Sequence, residues 1–425
     1  MRLYDYWLRT AAEHASRSAL RDTATGVELS FEALRRLAAE QPVAPAVVFA
    51  TGRGVEFILA VLAAWRDGSV LCPLDAQAPP APPPEEILAA RRIAHIKLTS
   101  GTTGVPRQVL FREEQLLADC ENICATMGLH PDLPNLGVIS LAHSYGFSNL
   151  VLPLLLRGVP LVLAPNALPA SVEKALAPGF PAVLPAVPAM WRAWHSIGLP
   201  GPRIALAISA GAPLAVELER SIFECCGLKV HNFYGASECG GIAFDRTAEP
   251  RSDAEIVGAA MDNVAHERTP DGRLVVRSAA VGELYWPPMR DGAETLGGGR
   301  YVTGDLAELD RGVVRLTGRA GEVINVAGRK LHPGEIEEWL LQEPGVRHAV
   351  AFGVPSRDAE RCDDIAVVVA LERGAPLSVL QRTAAAALPS WKCPRHWRMC
   401  DGLQPDHRGK ISRALWRRRF LSGDL

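Results

Sequence analysis

Thr99 to Phe111 reads TSGTTGVPRQVLF. Gly101 and Gly104 permit tight turns and close backbone approach, while Thr99, Ser100, Thr102 and Thr103 supply hydroxyl donors. Successive backbone N–H groups along such a loop form a concavity that accepts phosphate oxygens. It is not a Walker A loop, which needs a Lys followed by Ser or Thr at a different spacing. Taken alone, a Ser/Thr/Gly loop of this kind is more often a plain surface loop than a nucleotide loop.

Outward from the loop, short apolar runs alternate with helix-like segments. Ala46–Ala50 (AVVFA), Ala182–Ala186 (AVLPA) and Ile204–Ser209 (IALAIS) read as buried strands, and Val55–Arg66 and Leu214–Cys226 as helices. That alternation predicts an α/β architecture with a largely parallel sheet. After about Asp271 the pattern changes to RLVVRS, GELYW and VVRLTG, separated by Asp-Gly and Arg-Gly turns, which predicts an antiparallel β region. From Gly321 a compact α+β segment follows, with a helix over Pro333–Leu341 and strands at His348–Gly353 and Asp364–Leu371. Ala78–Glu86 (APPAPPPEE) has five prolines in nine residues, so it is expected to be a semi-rigid connector and neither helix nor central strand.

Composition narrows the function. The 425 residues carry 45 Lys+Arg against 47 Asp+Glu, a net charge of −2, which lacks the broad basic surface of a nucleic-acid binder. Nine cysteines include no CxxC pair, and Cys120 and Cys124 are spaced as two residues on one helix face. The N-terminus has no apolar signal-peptide core, and Leu150–Leu163 is too short and broken to span a bilayer. A cytoplasmic protein without membrane insertion is the expectation.

The phosphate loop does not stand alone. Downstream come SAGAPL (Ser209–Leu214), NFYGASECGGI (Asn232–Ile242), YVTGDLAELD (Tyr301–Asp310), GRAGEVINVAGRKLHPGEIEE (Gly318–Glu338) and GKISR (Gly409–Arg413). In this order and spacing the motifs resemble the adenylate-forming superfamily of acyl- and aryl-CoA ligases, peptide-synthetase adenylation domains and luciferases. The resemblance runs from about Ala46 to Leu415. It implies a large N-terminal domain (1–318) of sheets flanked by helices plus the β region, and a small mobile α+β C-terminal domain (319–425).

The resemblance also implies roles. Thr99, Ser100, Gly101, Thr102, Thr103, Gly104 and Arg107 would hold the β- and γ-phosphates of ATP. Gly211, Ala212 and Pro213 would flank the adenine, with Tyr234 and Gly235 against it. Ser237 would contact the α-phosphate, and Glu238 would hold Mg²⁺, a cation suited to oxygen ligands. Asp305 would accept from the ribose hydroxyls, assisted by Arg319. Lys410 would bridge the substrate carboxylate and the α-phosphate, where charge develops. Only six of the 45 basic residues are lysines, which adds weight to a lysine at that position. The acceptor would be the thiol of CoA or of a carrier-protein phosphopantetheine.

The chain departs from the family pattern in several places. Arg107-Gln108 stands where Lys-Gly is usual, Ser237 where Thr is usual, and Gly321 at the hinge position commonly held by Asp or Lys. Arg keeps the charge, and Gly absorbs large backbone rotations. Only about two dozen residues separate Leu74 from Thr99, so the N-terminal part is read as shortened, with the Pro-rich connector bridging the gap. A truncated, non-catalytic nucleotide-binding protein is one alternative on this ground.

Leu141–Leu156 (LAHSYGFSNLVLPLLL) matches the family's substrate-pocket segment, with His143 between pocket and thiol tunnel. Ser148 and Asn149 follow Phe147 where amino-acid-activating relatives place an Asp, so an α-amino acid would leave its ammonium unpaired. Ser144 replaces the Asn of catechol-type aryl activators. Tyr145, Phe147, Gly235, Gly240 and Ile242 suit a flat or apolar acid. The small-molecule substrate is therefore read as an aromatic carboxylic acid such as 3- or 4-hydroxybenzoate, with a fatty or other aliphatic acid as the alternative. Shortened ligases that feed acids to an acyl carrier protein in aryl-polyene pigment pathways look similar.

Overall fold

Two kinds of sheet meet at strand Val230–Ala236. On one side it pairs in parallel with Ile204–Ser209, and on the other antiparallel with Gly240–Phe244. The computed structural model describes residues 2–75, 78–99, 107–176, 181–198, 203–288, 295–326, 329–357, 363–406 and 411–425.

The parallel half continues from Ile204–Ser209 through Ala182–Ala186, Asn135–Gly137 and Leu161–Leu163 to Ser18–Asp22. Parallel neighbours need crossovers, and the helices Pro188–His195 and Val216–Cys226 provide them. The first begins on a proline, whose missing N–H costs nothing in the first turn, and buries Trp191 and Trp194 at i, i+3. The second ends on Gly227 in the left-handed region (φ 64°). All five residues of Ala182–Ala186 are buried, as a strand covered on both faces requires.

The antiparallel half runs from Gly240–Phe244 through Ile256–Ala260, Val313–Arg319, Arg300–Asp310 and Arg273–Arg277 to Ala265–Arg268. Arg311 and Gly312 both adopt positive φ (48° and 84°) in the turn joining the two longest of these strands, as the Arg-Gly signal predicted. One expected member lies elsewhere. Leu284–Trp286, from GELYW, pairs with Arg107–Phe111 and thereby joins a second sheet. That sheet continues through His95–Thr99 and Val70–Leu71 to Val47–Val48. Thr99 and Arg107 are register partners, so they bracket the phosphate-loop motif from adjacent strands.

The Pro-rich stretch has no regular structure through Pro84, and Gln108 Nε2 donates to the carbonyl of Ala81 at 2.7 Å. A six-residue helix, Glu85–Ala90, then starts inside the stretch read as helix-free. Its two glutamates sit in the first turn, where negative charge suits the helix N-terminus, and Pro84 before them has no helical N–H to lose. Bridge and helix together return the chain to the sheet, where Leu71 and His95 are parallel partners.

Beyond Ile324 the apolar clusters are separate from the main core. Val346–Pro355 pairs antiparallel with Asp363–Leu371, which pairs in parallel with His396–Met399. One face of this sheet packs Ile336, Leu340, Val367 and Leu380, and the other Phe352, Val368, Leu403 and Trp416. No helix among the described residues is long and apolar enough to cross a membrane.

At the junction with this segment two glycines behave differently. Gly318 has φ 143°, and a Cβ there would collide with the ring of His332, whereas a Cβ at Gly321 would meet open space. Gly318→Ala is therefore expected to cost about 1–3 kcal/mol, the scale of forcing an L-residue into a sparsely populated backbone region. Gly321→Ala should stay within about 0.5 kcal/mol of wild type. Urea denaturation of both variants checks the contrast, and equal losses would contradict it.

Candidate active site

Asp305 lies on the strand Arg300–Asp310, directly opposite Arg319 in the register. Its Oδ1 accepts from Arg319 Nε at 2.8 Å, and its Oδ2 accepts from the Tyr234 hydroxyl at 2.6 Å. The backbone N–H of Asp305 donates to Thr303 Oγ1 at 3.1 Å, which fixes the turn of the strand beneath the carboxylate. The Asp305 carboxylate holds the Arg319 guanidinium above its ordinary pKa. Burial pushes the Tyr234 phenol well above its usual range, with Asp305 adding to the effect, so the hydroxyl stays protonated and donates. Tyr234 was expected only as an adenine neighbour; its bond to Asp305 was not legible from the motif.

Glu238 follows on the turn between strands Val230–Ala236 and Gly240–Phe244. The Tyr285 hydroxyl donates to its Oε1 at 3.0 Å, and Gly282 N–H donates to its backbone carbonyl at 2.8 Å. Burial raises the pKa of this carboxyl, a push partly offset by the Tyr285 bond and by Arg319. The guanidinium of Arg107 lies 5.9 Å from the centre of the Tyr285 ring. Tyr285 thus stands between the base of the phosphate-loop motif and Glu238. Sequence reading missed it, because GELYW signals only a strand.

Ser237 Oγ and Ser144 Oγ are 2.9 Å apart, so the Glu238 turn is tied to the substrate-pocket segment. One residue before Ser144, His143 Nε2 lies 3.3 Å from Asp75 Oδ2, and Ser140 Oγ donates to Asp75 Oδ1 at 3.0 Å. Asp75 was not among the predicted site residues. Tyr145 packs its ring 5.8 Å from that of Phe233, and its hydroxyl lies 3.5 Å from the carbonyl oxygen of Ile208. Phe147 and Ile242 are fully buried, and Gly235 is exposed. Gly240 has φ 70°, and a Cβ there would run into the Asp119 carboxylate. Gly211, with φ 85°, and Pro213 are exposed on the loop after strand Ile204–Ser209, with Ala212 half-buried between them. Ser100, Gly101, Thr102, Thr103, Gly104 and Lys410 lie outside the described residues.

Among the described residues no group of three His, Cys, Asp or Glu could hold a metal ion. A single carboxylate such as Glu238 suits a hard cation that takes its remaining ligands from phosphate oxygens and water, which is how Mg²⁺ is commonly held.

Residues 78–286 match the family model described as AMP-binding enzyme. A long-chain-fatty-acid–CoA ligase of Bacillus subtilis is 25% identical over 347 residues, covering 76% of this chain and 60% of that protein. A feruloyl-CoA synthase of Amycolatopsis is 28% identical over 357 residues, covering 80% and 72%. The chain thus spans between three fifths and three quarters of these relatives. Among solved structures, ATP-bound MatB from Rhodopseudomonas palustris superposes with a TM-score of 0.82 at 21% identity, with 99% of each chain covered, a likeness of fold.

The raised Glu238 pKa has a sign that can be checked. The fold favours the protonated form, so the unfolded chain releases this proton first as pH rises. Stability contributed by Glu238 therefore falls from the unfolded carboxyl pKa upward. Glu238→Gln, which stays neutral, should melt about 2 °C above wild type at pH 8 without ligands. The gap should close toward pH 4.5. Calorimetric scans across that range test it; a gap that widens on acidification would contradict the assignment.

Proposed function

Because the chain belongs to the adenylate-forming superfamily, we propose that it is an ATP- and Mg²⁺-dependent acid–thiol ligase acting on an aromatic carboxylic acid. The observation that carries this reading is the convergence at Asp305. Tyr234 and Arg319, from two motifs distant in sequence, both bond to it, with Glu238 and Tyr285 alongside.

In the first half-reaction a carboxylate oxygen of the acid attacks the α-phosphorus of ATP, forming the acyl-adenylate and releasing pyrophosphate. Asp305 accepts from the ribose hydroxyls and is held in place by Tyr234 and Arg319. The loop Gly211–Pro213 lies along the adenine, and Ser237 with the phosphate-loop residues and Arg107 orients the triphosphate. Mg²⁺, held by Glu238, would neutralise charge on the phosphates. Lys410 donates to the oxygens on which charge builds as the new bond forms. In the second half-reaction a thiol sulfur attacks the acyl carbonyl carbon and AMP leaves, with His143, oriented by Asp75, beside the thiol's approach. CoA or the phosphopantetheine of a carrier protein supplies the thiol. Residues 319–425 form the mobile domain that exchanges Lys410 for the thiol tunnel, pivoting at Gly321.

The aromatic assignment rests on Tyr145 and Phe147 in the pocket segment, on the missing acidic anchor after Phe147, and on the aryl relative. The fatty-acid relative keeps an aliphatic acid as the second reading.

Lys410→Ala should slow pyrophosphate release by at least about 10²-fold, the scale of losing one preorganised donor. Thioester formation from presynthesised adenylate should stay close to the wild-type rate. Equal loss in both half-reactions would contradict the assignment of Lys410 to adenylation alone. A pyrophosphate-release panel should show turnover with 3- or 4-hydroxybenzoate above salicylate, and none with phenylalanine. Octanoate outpacing every aryl acid would replace the aromatic reading with the aliphatic one, and silence with all acids would leave a nucleotide-binding protein without this activity.

A further inference from the structure

Four polar side chains are buried together where the pocket segment meets the strand His95–Thr99. Lys97 and Asp119 are 3% and 2% exposed, and Ser148 and His95 are as deeply buried. Lys97 Nζ lies 3.4 Å from Asp119 Oδ2 and 3.3 Å from Ser148 Oγ, and 4.8 Å from the centre of the Phe111 ring. Ser148 Oγ donates to Asp119 Oδ2 at 2.5 Å, and the Gly241 N–H lies 3.4 Å from Asp119 Oδ1. His95 stands two residues before Lys97 on one strand, so the two side chains share a face. The His95 ring is 4.5 Å from that of Phe147, and its Nδ1 is buried with no hydrogen-bond partner among the described residues.

The hydrogen bonds of this cluster are incompletely spent. Both polar contacts of the Lys97 ammonium exceed the ordinary N–H···O range of about 2.7–3.2 Å. The short bond in the group, Ser148 to Asp119, consumes the hydroxyl proton and leaves the ammonium loosely held. Burial keeps the His95 imidazole neutral, so one of its ring nitrogens can accept. Buried polar groups normally find partners. The cluster touches residues that the sequence assigns to the acid pocket, at Phe147 beside Ser148 and at Gly240-Gly241 against Asp119.

We propose that Lys97, Asp119, Ser148 and His95 form a polar floor to the acid pocket that reads a hydroxyl group on the substrate's aromatic ring. The inference rests on the aryl-acid ligase reading above and deepens it. A ring hydroxyl both accepts and donates hydrogen bonds, so it can accept one from the ammonium and donate one to the neutral imidazole. An unsubstituted ring or an alkyl chain would seal these groups away from water without replacing those bonds. A site built to bond a hydroxyl rejects the analogue lacking it far more strongly than an apolar pocket discriminates by size.

The test is the ratio of kcat/KM for hydroxybenzoate, the better of the 3- and 4-isomers, to that for benzoate, measured by pyrophosphate release. Wild type should favour the hydroxylated acid by about 10²-fold or more. Lys97→Met combined with Asp119→Leu removes both charges together, so neither is left buried alone. In that double variant the ratio should fall at least about tenfold. Ser148→Ala, a smaller change, should lower it several-fold and supplies the same readout should the double variant not fold. A ratio that stays constant while both rates fall would show a packing role and overturn the floor, leaving the ligase reading intact. A wild type that turns over benzoate as well as the hydroxylated acids would overturn it too. A wild type that activates no aryl acid overturns the aryl reading and this inference together.

Discussion

One carboxylate, Asp305, joins stretches of chain that the sequence keeps far apart. Its two oxygens are divided between a phenol from the central strand and a guanidinium from the neighbouring strand Val313–Arg319. Hydrogen bonds to a charged partner are roughly twice as strong as neutral ones, and here they hold two halves of a sheet to one geometry. Tyr234 sits on the strand where parallel pairing gives way to antiparallel pairing, so the aspartate's partners are backed by different pairing patterns. Strand ends at such a change of topology are where open α/β sheets place ligands. Glu238 and Ser237 occupy the turn that leaves this strand.

A second set of fixed points comes from buried charge. Glu219, on the crossover helix, meets Lys229 and Arg251, and Lys229 also reaches Asp245 at 2.6 Å. Arg251 then donates to the carbonyl of Leu214 at 2.7 Å, directly after the Gly211–Pro213 loop. Removing one member would strand the others in the interior, which costs more than the pairing contributes. The loop after Ile204–Ser209 is therefore anchored from behind by side chains that never approach a ligand.

Much of this was legible in the chain. The strands Ala182–Ala186 and Ile204–Ser209 were read at their observed ends, because a buried parallel strand is a plain apolar run with few alternatives. Helix Val55–Asp67 was read one residue short, and Gly68 after it supplies the left-handed cap. The motif order also picked out Asp305, Arg319 and Tyr234, which the fold brings together. Less accessible were partners that depend on register. Leu284–Trp286 looks like its antiparallel neighbours, yet it pairs across to Arg107–Phe111, and that long-range choice puts Tyr285 beside Glu238. Asp75 escaped notice for a similar reason, since nothing local distinguishes it from a turn aspartate until His143 is seen 3.3 Å away. The helix at Glu85 was hidden by the prolines before it, which end one conformation and prepare another.

Those prolines have a further consequence. A proline-rich segment extends by about 3.1 Å per residue with little freedom to shorten, so residues 78–84 act as a spacer of nearly fixed span, about 22 Å on that rise. Pro84 itself holds φ −52° and ψ 142°, in keeping with an extended run. A spacer that is already stiff in the unfolded chain loses little entropy when its ends are brought into place. The five-stranded sheet thereby keeps Leu71 beside His95 without a large intervening layer. Any insertion into residues 78–84 would have to return its ends to the same separation, because Leu71 and His95 are paired on either side of it.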